Sequence, residues 1–286
     1  MNVKIIDGRK IADDIKIKVK KDILDLYNKY GIRPHIKSVI IGKNNESELY
    51  LKLRDKACEN VGIISSHLRL PNDISEKDIL KIISKLNKDD SVNGILIQMP
   101  LPDHINQSKV FEALSPKKDV EGFTPENMGR LLSGDEFIVP CTPLAVIKIL
   151  ESEGINLKGK DIVIVNHSNV VGKPLAALLL NRNASVSIVH VFTKNLKTYT
   201  KNADIVISAA GVKGLINKDN IKKDSFLIDV GIIKTEKGVT GDVDFKSVKE
   251  ISSKLTPVPG GVGPVTVACS LLNIKDIYQA SLFEKK

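Results

Sequence analysis

The run Ile162-Val-Ile-Val-Asn-His-Ser-Asn-Val-Val-Gly-Lys-Pro174 has the pattern of a strand, a loop and the first turn of a helix. A helix N-terminus offers free N–H groups and the positive end of a dipole, which suits a phosphate. The Gly-x-Gly-x-x-Gly fingerprint is absent, since Gly172 stands alone, and a plain crossover fits the run equally well. The next strand sharpens the reading. Sites that take NAD place an Asp or Glu at the end of that second strand, to bond the ribose 2′-hydroxyl. Here the strand runs into His190-Val191-Phe192-Thr193-Lys194, with no acid. Lys194 and Lys197 suit a 2′-phosphate, unless they are only a solvated face.

Further along, Pro257-Val-Pro-Gly-Gly-Val-Gly-Pro264 is a dense turn cluster that opens a helix. Its glycines let backbone approach a ligand closely, and Thr266 adds a hydroxyl at the helix start. Tyr50 and Arg54 stand four apart on one helix and share a face. Gln98 ends a buried-type strand, where open α/β sheets keep their ligand sites. Asp119 and Glu121 lie in the turn Lys118-Asp-Val-Glu-Gly-Phe123. Each of these is as easily structural or solvated when taken alone. Together they supply a phenol, a cation, an amide and two carboxylates, a set suited to a polar heterocycle. The five histidines show no metal-ligand spacing, so no metal is expected. His35, His67, His104 and His190 read as incidental, while His167 lies in the phosphate loop.

A chain of 286 residues is long enough for about two domains. Its 43 Lys and Arg against 34 Asp and Glu leave a net charge of +9, which favours acidic ligands without naming one. Tryptophan is absent and aromatics total 4%, poor for stacking on single-stranded bases. The lysines are spread over many helices, so nucleic acid ranks last among partners. Three scattered cysteines, Cys58, Cys141 and Cys269, argue against a disulfide framework and for a reducing cytoplasm. No apolar run approaches the ~18 residues of a membrane span, and the N-terminus lacks a signal-peptide core.

The elements that must position these groups follow from hydrophobic spacing. Helices are expected over 11–30, 47–61, 76–86, about 140–153, 174–180 and about 265–283. Strands are expected over 37–42, 94–98, 161–165, 185–190, 204–208 and 226–230. The alternation predicts an α/β protein with doubly wound parallel sheet. The domain boundary is placed near 140. Residues 1–139 then form one α/β domain and 140–264 a Rossmann-type domain, with the last helix, 265–286, packing back on the first.

Gly94-Ile-Leu-Ile-Gln-Met-Pro-Leu-Pro102, Lys118-Asp-Val-Glu-Gly-Phe123, Pro140-Cys-Thr-Pro143, Ser168-Asn-Val-Val-Gly-Lys-Pro174 and Thr256-Pro-Val-Pro-Gly-Gly-Val-Gly-Pro264 together resemble the methylenetetrahydrofolate dehydrogenase/methenyltetrahydrofolate cyclohydrolase family. The motifs occur in family order over nearly the whole chain. The resemblance implies two α/β domains with the active site in a cleft, and a homodimer. It also implies oxidation of 5,10-methylenetetrahydrofolate with NADP, or NAD, and hydrolysis of the methenyl product to 10-formyltetrahydrofolate. Tyr50 matches a residue that packs on the folate, and Gln98 one that tunes a catalytic lysine. Asp119, Glu121, Pro259, Gly260 and Gly261 fall on the substrate side. Asn166, His167, Ser168, Val171, Gly172, Pro174, Val191, Thr193, Ile232, Gly263 and Thr266 fall on the cofactor side.

Three positions depart from the family pattern. Tyr-x-x-x-Lys reads Tyr50-Leu-Lys-Leu-Arg54, Asp-Val-Asp-Gly reads Asp119-Val-Glu-Gly122, and Gly-Arg-Ser reads Asn166-His167-Ser168. A guanidinium stays charged throughout the physiological range and has almost no neutral form to accept a proton. Lys52 and Lys56 point about 200° away round the helix and cannot replace it. The hydrolytic step is therefore expected to be weak or absent, with NADP accepted and preferred. The alternative of a different class is a non-catalytic folate- or nucleotide-binding regulator, which turnover would exclude.

Overall fold

The computed structural model describes residues 3–42, 45–236 and 238–284, without the side chains of 45–47, 49, 50 and 284. In chain order the elements are β1 (Lys4–Ile5), α1 (Gly8–Tyr30), β2 (His35–Ile41), α2 (Asn45–Val61), β3 (Ile64–Leu70), α3 (Glu76–Lys88) and β4 (Gly94–Ile97). Then come α4 (Gln107–Ala113), α5 (Pro125–Leu132), α6 (Cys141–Ser152), β5 (Asp161–Val165), α7 (Gly172–Asn181), β6 (Ser185–Val189), α8 (Leu196–Thr200) and β7 (Ile205–Ser208). The chain ends with β8 (Phe226–Asp229), β9 (Ile233–Thr235), β10 (Gly238–Thr240), α9 (Phe245–Val248), β11 (Lys254–Leu255) and α10 (Val262–Glu284). These pack as two compact units, one of Asp14–Cys141 with the residues from Val267 on, the other of the residues up to Asp13 with Thr142–Thr266.

The first unit is built on a three-stranded parallel sheet of order β3-β2-β4. One face is covered by Val19 and Ile23 of α1 and by Leu271, Ile274 and Ile277 of α10, which share a core with Ile36 and Leu96. The other face packs Ile79, Ile83 and Leu86 of α3 against Val39, Ile41, Ile95 and Ile97. Helical spacing of apolar residues on α3 and four buried residues in a row on β4 are the sequence causes of this layering. Ser75 caps α3 by accepting the Asp78 N–H at 3.2 Å. β3 is not among the expected strands. It is an edge strand with most of its residues half-exposed, and so shows no buried run.

The second unit is a six-stranded sheet of order β1-β11-β8-β7-β5-β6, parallel at every pairing. β5 runs to β6 on one side, and β7 returns to the other side of β5. The order therefore reverses there and opens a crevice at the carboxyl ends of the strands. Burial of Ile162–Val165, Ile205–Ser208 and Phe226–Asp229 on both faces gives the apolar runs seen in the sequence.

Two boundaries differ from expectation. Residues before Asp14 join this second unit rather than the first, because β1 pairs with β11, Lys4 against Lys254 and Ile5 against Leu255. α10 begins at Val262, so Gly263 and Pro264 sit in its first turn, where a proline's missing N–H is not needed. Among the described residues no helix is long and apolar enough to cross a membrane.

Candidate active site and nucleotide loops

In the three-stranded unit, α2 carries Arg54 inward until it is fully buried. Its Nη2 donates to Ser38 Oγ on β2 at 3.1 Å. Ser38 pairs in register with Leu96 of β4, and Gln98 follows two residues on, its N–H donating to Val39 O at 2.9 Å. The Gln98 side chain donates from Nε2 to Met99 O at 3.1 Å. Its Oε1 is buried and takes no hydrogen bond from the described residues. That carbonyl oxygen is available to a ligand's donor. Tyr50 lies on α2 one turn before Arg54, but its side chain is outside the described residues.

The turn at 118–123, which follows α4 and bridges to Ile95 of β4, brings two carboxylates to the same neighbourhood. Val120 N–H donates to Ile95 O at 3.2 Å and holds the turn against β4. Asp119 is 1% exposed, and its oxygens accept from Gly122 N (2.9 Å), Thr124 N (2.7 Å) and Asn127 Nδ2 (3.1 Å). Asp119 thus organises the turn. Gly122 has φ +72°, and a Cβ there would lie 3.0 Å from Pro140 N, so only glycine closes this turn. Burial pushes the Glu121 carboxyl above the usual carboxylate range, with the Arg54 guanidinium pulling it down, Asp119 pushing it up and a hydrogen bond from Cys141 lowering it. Burial also raises the Cys141 thiol, with Glu121 adding to the rise. A fixed cation, an amide oxygen and a carboxyl that is costly to ionise can hold a polar heterocycle. The cation can stabilise charge and donate hydrogen bonds, but it cannot collect a proton.

In the six-stranded unit, the loop after β5 is tied together by its own side chains. Asn166 Oδ1 accepts from Ser168 N (2.8 Å), Ser168 Oγ (2.7 Å) and Gly172 N (3.0 Å), and Nδ2 donates to Ala209 O at 2.7 Å. Ser168 Oγ accepts from Val171 N at 3.1 Å, and Ser168 O from Lys173 N at 3.0 Å. The N–H groups expected to be free at this helix start are therefore engaged, and Pro174 has none. The Asn166 side chain fastens this loop. A Cβ on Gly172 would sit 2.1 Å from Asn166 O, which explains the glycine.

The remaining loops follow the carboxyl ends of β6, β7, β8 and β11. Thr193 closes the turn after β6, its Oγ1 accepting from His190 N at 2.9 Å. Val191 is 83% exposed there, and Ile232 after β8 is 69% exposed. Two carboxylates that the sequence reading missed join these loops. Asp242 accepts from Ser208 Oγ (2.7 Å), Ala210 N (2.6 Å) and Val212 N (2.9 Å). Asp229 accepts from Gly231 N (3.0 Å), Asp242 N (3.0 Å) and Val243 N (2.9 Å). The signal available was an Asp within two residues of a Gly in both Asp229-Val-Gly231 and Gly241-Asp242. Gly8 was also missed: a Cβ there would lie 1.8 Å from Gly261 O, so the start of α1 packs directly on the Pro259-Gly260-Gly261 turn. The Thr266 hydroxyl donates to Val262 O at 3.3 Å within α10, which leaves Gly263, exposed and uncrowded, as the better ligand position. Among the described residues no group of His, Cys, Asp or Glu is arranged to hold a metal.

The parallel sheet with its reversal at β5, and the loops gathered at its carboxyl edge, define a doubly wound nucleotide-binding fold; the other unit is α/β on a three-stranded parallel sheet. Residues 140–282 match the family model of the tetrahydrofolate dehydrogenase/cyclohydrolase NAD(P)-binding domain, and residues 6–121 that of its catalytic domain. The chain belongs to the tetrahydrofolate dehydrogenase/cyclohydrolase family. It is 48% identical over 279 residues to the bifunctional protein FolD of Methanosarcina mazei, covering 98% of this chain and 97% of that one. It resembles the solved bifunctional FolD methylenetetrahydrofolate dehydrogenase/cyclohydrolase of Campylobacter jejuni at TM-score 0.94 and 44% identity, over 97% of this chain and 99% of the other. A Trypanosoma brucei methylenetetrahydrofolate dehydrogenase-cyclohydrolase, solved with NADP and an inhibitor, matches at TM-score 0.93 and 33% identity over 99% of each chain.

Proposed function

We propose that the chain oxidises 5,10-methylenetetrahydrofolate to the 5,10-methenyl form with NADP, in one-carbon metabolism, and hydrolyses that product to 10-formyltetrahydrofolate weakly or not at all. The full-length likeness to relatives named for the two activities supports the dehydrogenase. The buried Arg54, where the family pattern has lysine, supports the weak hydrolase. A non-catalytic binding role is disfavoured, because the relatives are named as enzymes.

The nucleotide loops fit a dinucleotide. They stand at one edge of a parallel sheet, close glycine contacts bring backbone to that edge, and the end of β6 carries no acid to repel a 2′-phosphate. When bound, the nicotinamide supplies the hydride acceptor. His167, Ser168, Val191, Thr193, Ile232 and Gly263 are assigned to the cofactor, and Tyr50, Arg54, Gln98 and Glu121 to the folate. Hydride transfer rewards geometry and exclusion of water more than proton traffic. Arg54 is adequate there, since it holds charge and orients polar edges through its guanidinium. Hydrolysis is different. Water adding to the methenyl carbon must lose a proton, and a guanidinium cannot accept it at neutral pH.

The two structural units are taken as the folate-binding and nucleotide-binding domains. A homodimer is inferred from the family resemblance. Three free, buried cysteines suit a reducing cytoplasm. The test is to follow purified protein with methylenetetrahydrofolate and each cofactor in turn. Methenyl formation above a no-enzyme control is expected with NADP, at a higher kcat/KM than with NAD. No methenyl product with either cofactor would overturn the dehydrogenase. A tenfold preference for NAD, about 1.4 kcal/mol, would overturn the cofactor assignment.

A further inference from the structure

The loops beyond β5 and β6 bring together a pair of histidines that are 23 positions apart in the chain, at 167 and 190. β5 and β6 are neighbouring parallel strands with Val165 opposite Val189, so the residues just beyond them are brought side by side. The rings of His167 and His190 face each other with centroids 4.5 Å apart and planes tilted by 32°. Phe192 meets His190 edge-on at 5.9 Å. His167 is exposed and His190 is half-buried.

The charges on the surrounding elements are nearly all positive. Between Asp161 and Asp204 there is no acidic residue. Lys173 on α7 is held by Asn169 Oδ1 at 2.7 Å, Lys194 follows the β6 turn, and Lys197 lies on α8. The loop after β7, fastened to Asn166 through Ala209 O, brings Lys213, and the carboxylate under that loop, Asp242, is already bonded to Ser208, Ala210 and Val212.

We propose that His167 and His190 form a proton-gated subsite for the 2′-phosphate of NADP, in which His167 binds as imidazolium and cofactor binding takes up a proton. This rests on the nucleotide reading above. The hydrogen bonds decide which ring is charged. The Phe192 N–H donates to His190 Nδ1 at 3.2 Å, and a proton placed on that nitrogen would break the bond. Two stacked rings 4.5 Å apart also resist carrying two charges. The proton therefore goes to His167, which stacks on a neutral partner and faces solvent. A ribose 2′-phosphate brings roughly −1.5 to −2 charge at pH 7, enough to favour the imidazolium. A lysine or arginine would keep its charge across the neutral range, whereas imidazole ordinarily loses its proton near pH ~6.5. NAD lacks the 2′-phosphate and serves as the internal control.

The experiment is calorimetric titration of the full-length protein with NADP and with NAD at pH 6.5, 7.5 and 8.5, in two buffers of different ionisation enthalpy. The Kd(NAD)/Kd(NADP) ratio should fall about tenfold or more between pH 6.5 and 8.5, with net proton uptake for NADP and none for NAD. His167→Gln should give a low, flat ratio, and His167→Arg a high, flat one. A wild-type ratio that stays level or rises with pH would overturn the proposal. A site made only of lysines gives that result, because the phosphate gains charge as pH passes about 6. Binding of neither dinucleotide would instead overturn the nucleotide reading and the subsite with it.

Discussion

Both units bury carboxylates next to their loops, and they use them in opposite ways. In the six-stranded unit Asp229 and Asp242 spend their oxygens on backbone N–H groups and one hydroxyl. Burial still lifts the Asp229 carboxyl to about 6, against those hydrogen bonds. In the three-stranded unit Asp119 is spent in the same fashion, but its neighbour Glu121 faces a guanidinium, a thiol and a second carboxylate. A carboxylate loaded with backbone donors fixes loop shape. One set among side-chain charges is held ready for a ligand. Burial alone does not tell the two apart; the donors do.

The largest effect expected from this contrast is on stability. Asp242→Ala leaves a hydroxyl and two N–H groups without their acceptor, at ~1–3 kcal/mol for each buried group. Unfolding in urea should show a loss of about 3–5 kcal/mol, and a loss under about 1 kcal/mol would mean the loops do not depend on it. Next is Gly172→Ala, whose methyl meets the backbone carbonyl of Asn166, an atom that cannot swing aside. A cost of roughly 1–3 kcal/mol is expected, together with weaker NADP binding, since the loop must shift. Unchanged NADP affinity would detach this loop from the cofactor.

Glu121→Gln should act on function more than on folding. The Glu121 carboxyl lies above the ordinary range, so its charge is lost at a higher pH than an exposed glutamate's as pH falls. The kcat/KM for the folate should therefore decline on the acid side from a pH above the usual ~4.3, and the variant should be flat there, with a plateau about tenfold lower. The same acid limb in both proteins would remove Glu121 from the site.

How much of this was legible in the sequence depended on burial and on chain distance. The helices over Glu76–Lys88 and Gly172–Asn181 and the strands β4, β5, β7 and β8 carry strong apolar patterns and were legible. β1, β11 and the β9–β10 hairpin are two or three residues long, too short for any period to show. β3 is partly solvated and has no alternation. Among the candidate site residues, Arg54, Gln98 and Glu121 stood out in the sequence because a cation, an amide and a carboxylate are unusual beside buried apolar runs. Asp119 and Asn166 were legible as important but not as fasteners, since the type of a residue does not reveal its donors. Gly8 and Asp242 were invisible because their partners, Gly261 and Ser208, lie far along the chain. The pairing of His167 with His190 was hidden for the same reason.

The central claim is that a buried guanidinium at position 54 leaves hydride transfer intact and removes the proton acceptor for hydrolysis. A single time course tests it: methylenetetrahydrofolate and NADP with wild-type protein, then the same with Arg54→Lys. The wild type should accumulate methenyltetrahydrofolate, which then decays no faster than in buffer. Arg54→Lys should shorten its lifetime while keeping NADP reduction. A wild-type course in which methenyltetrahydrofolate is consumed as fast as it forms would contradict the claim.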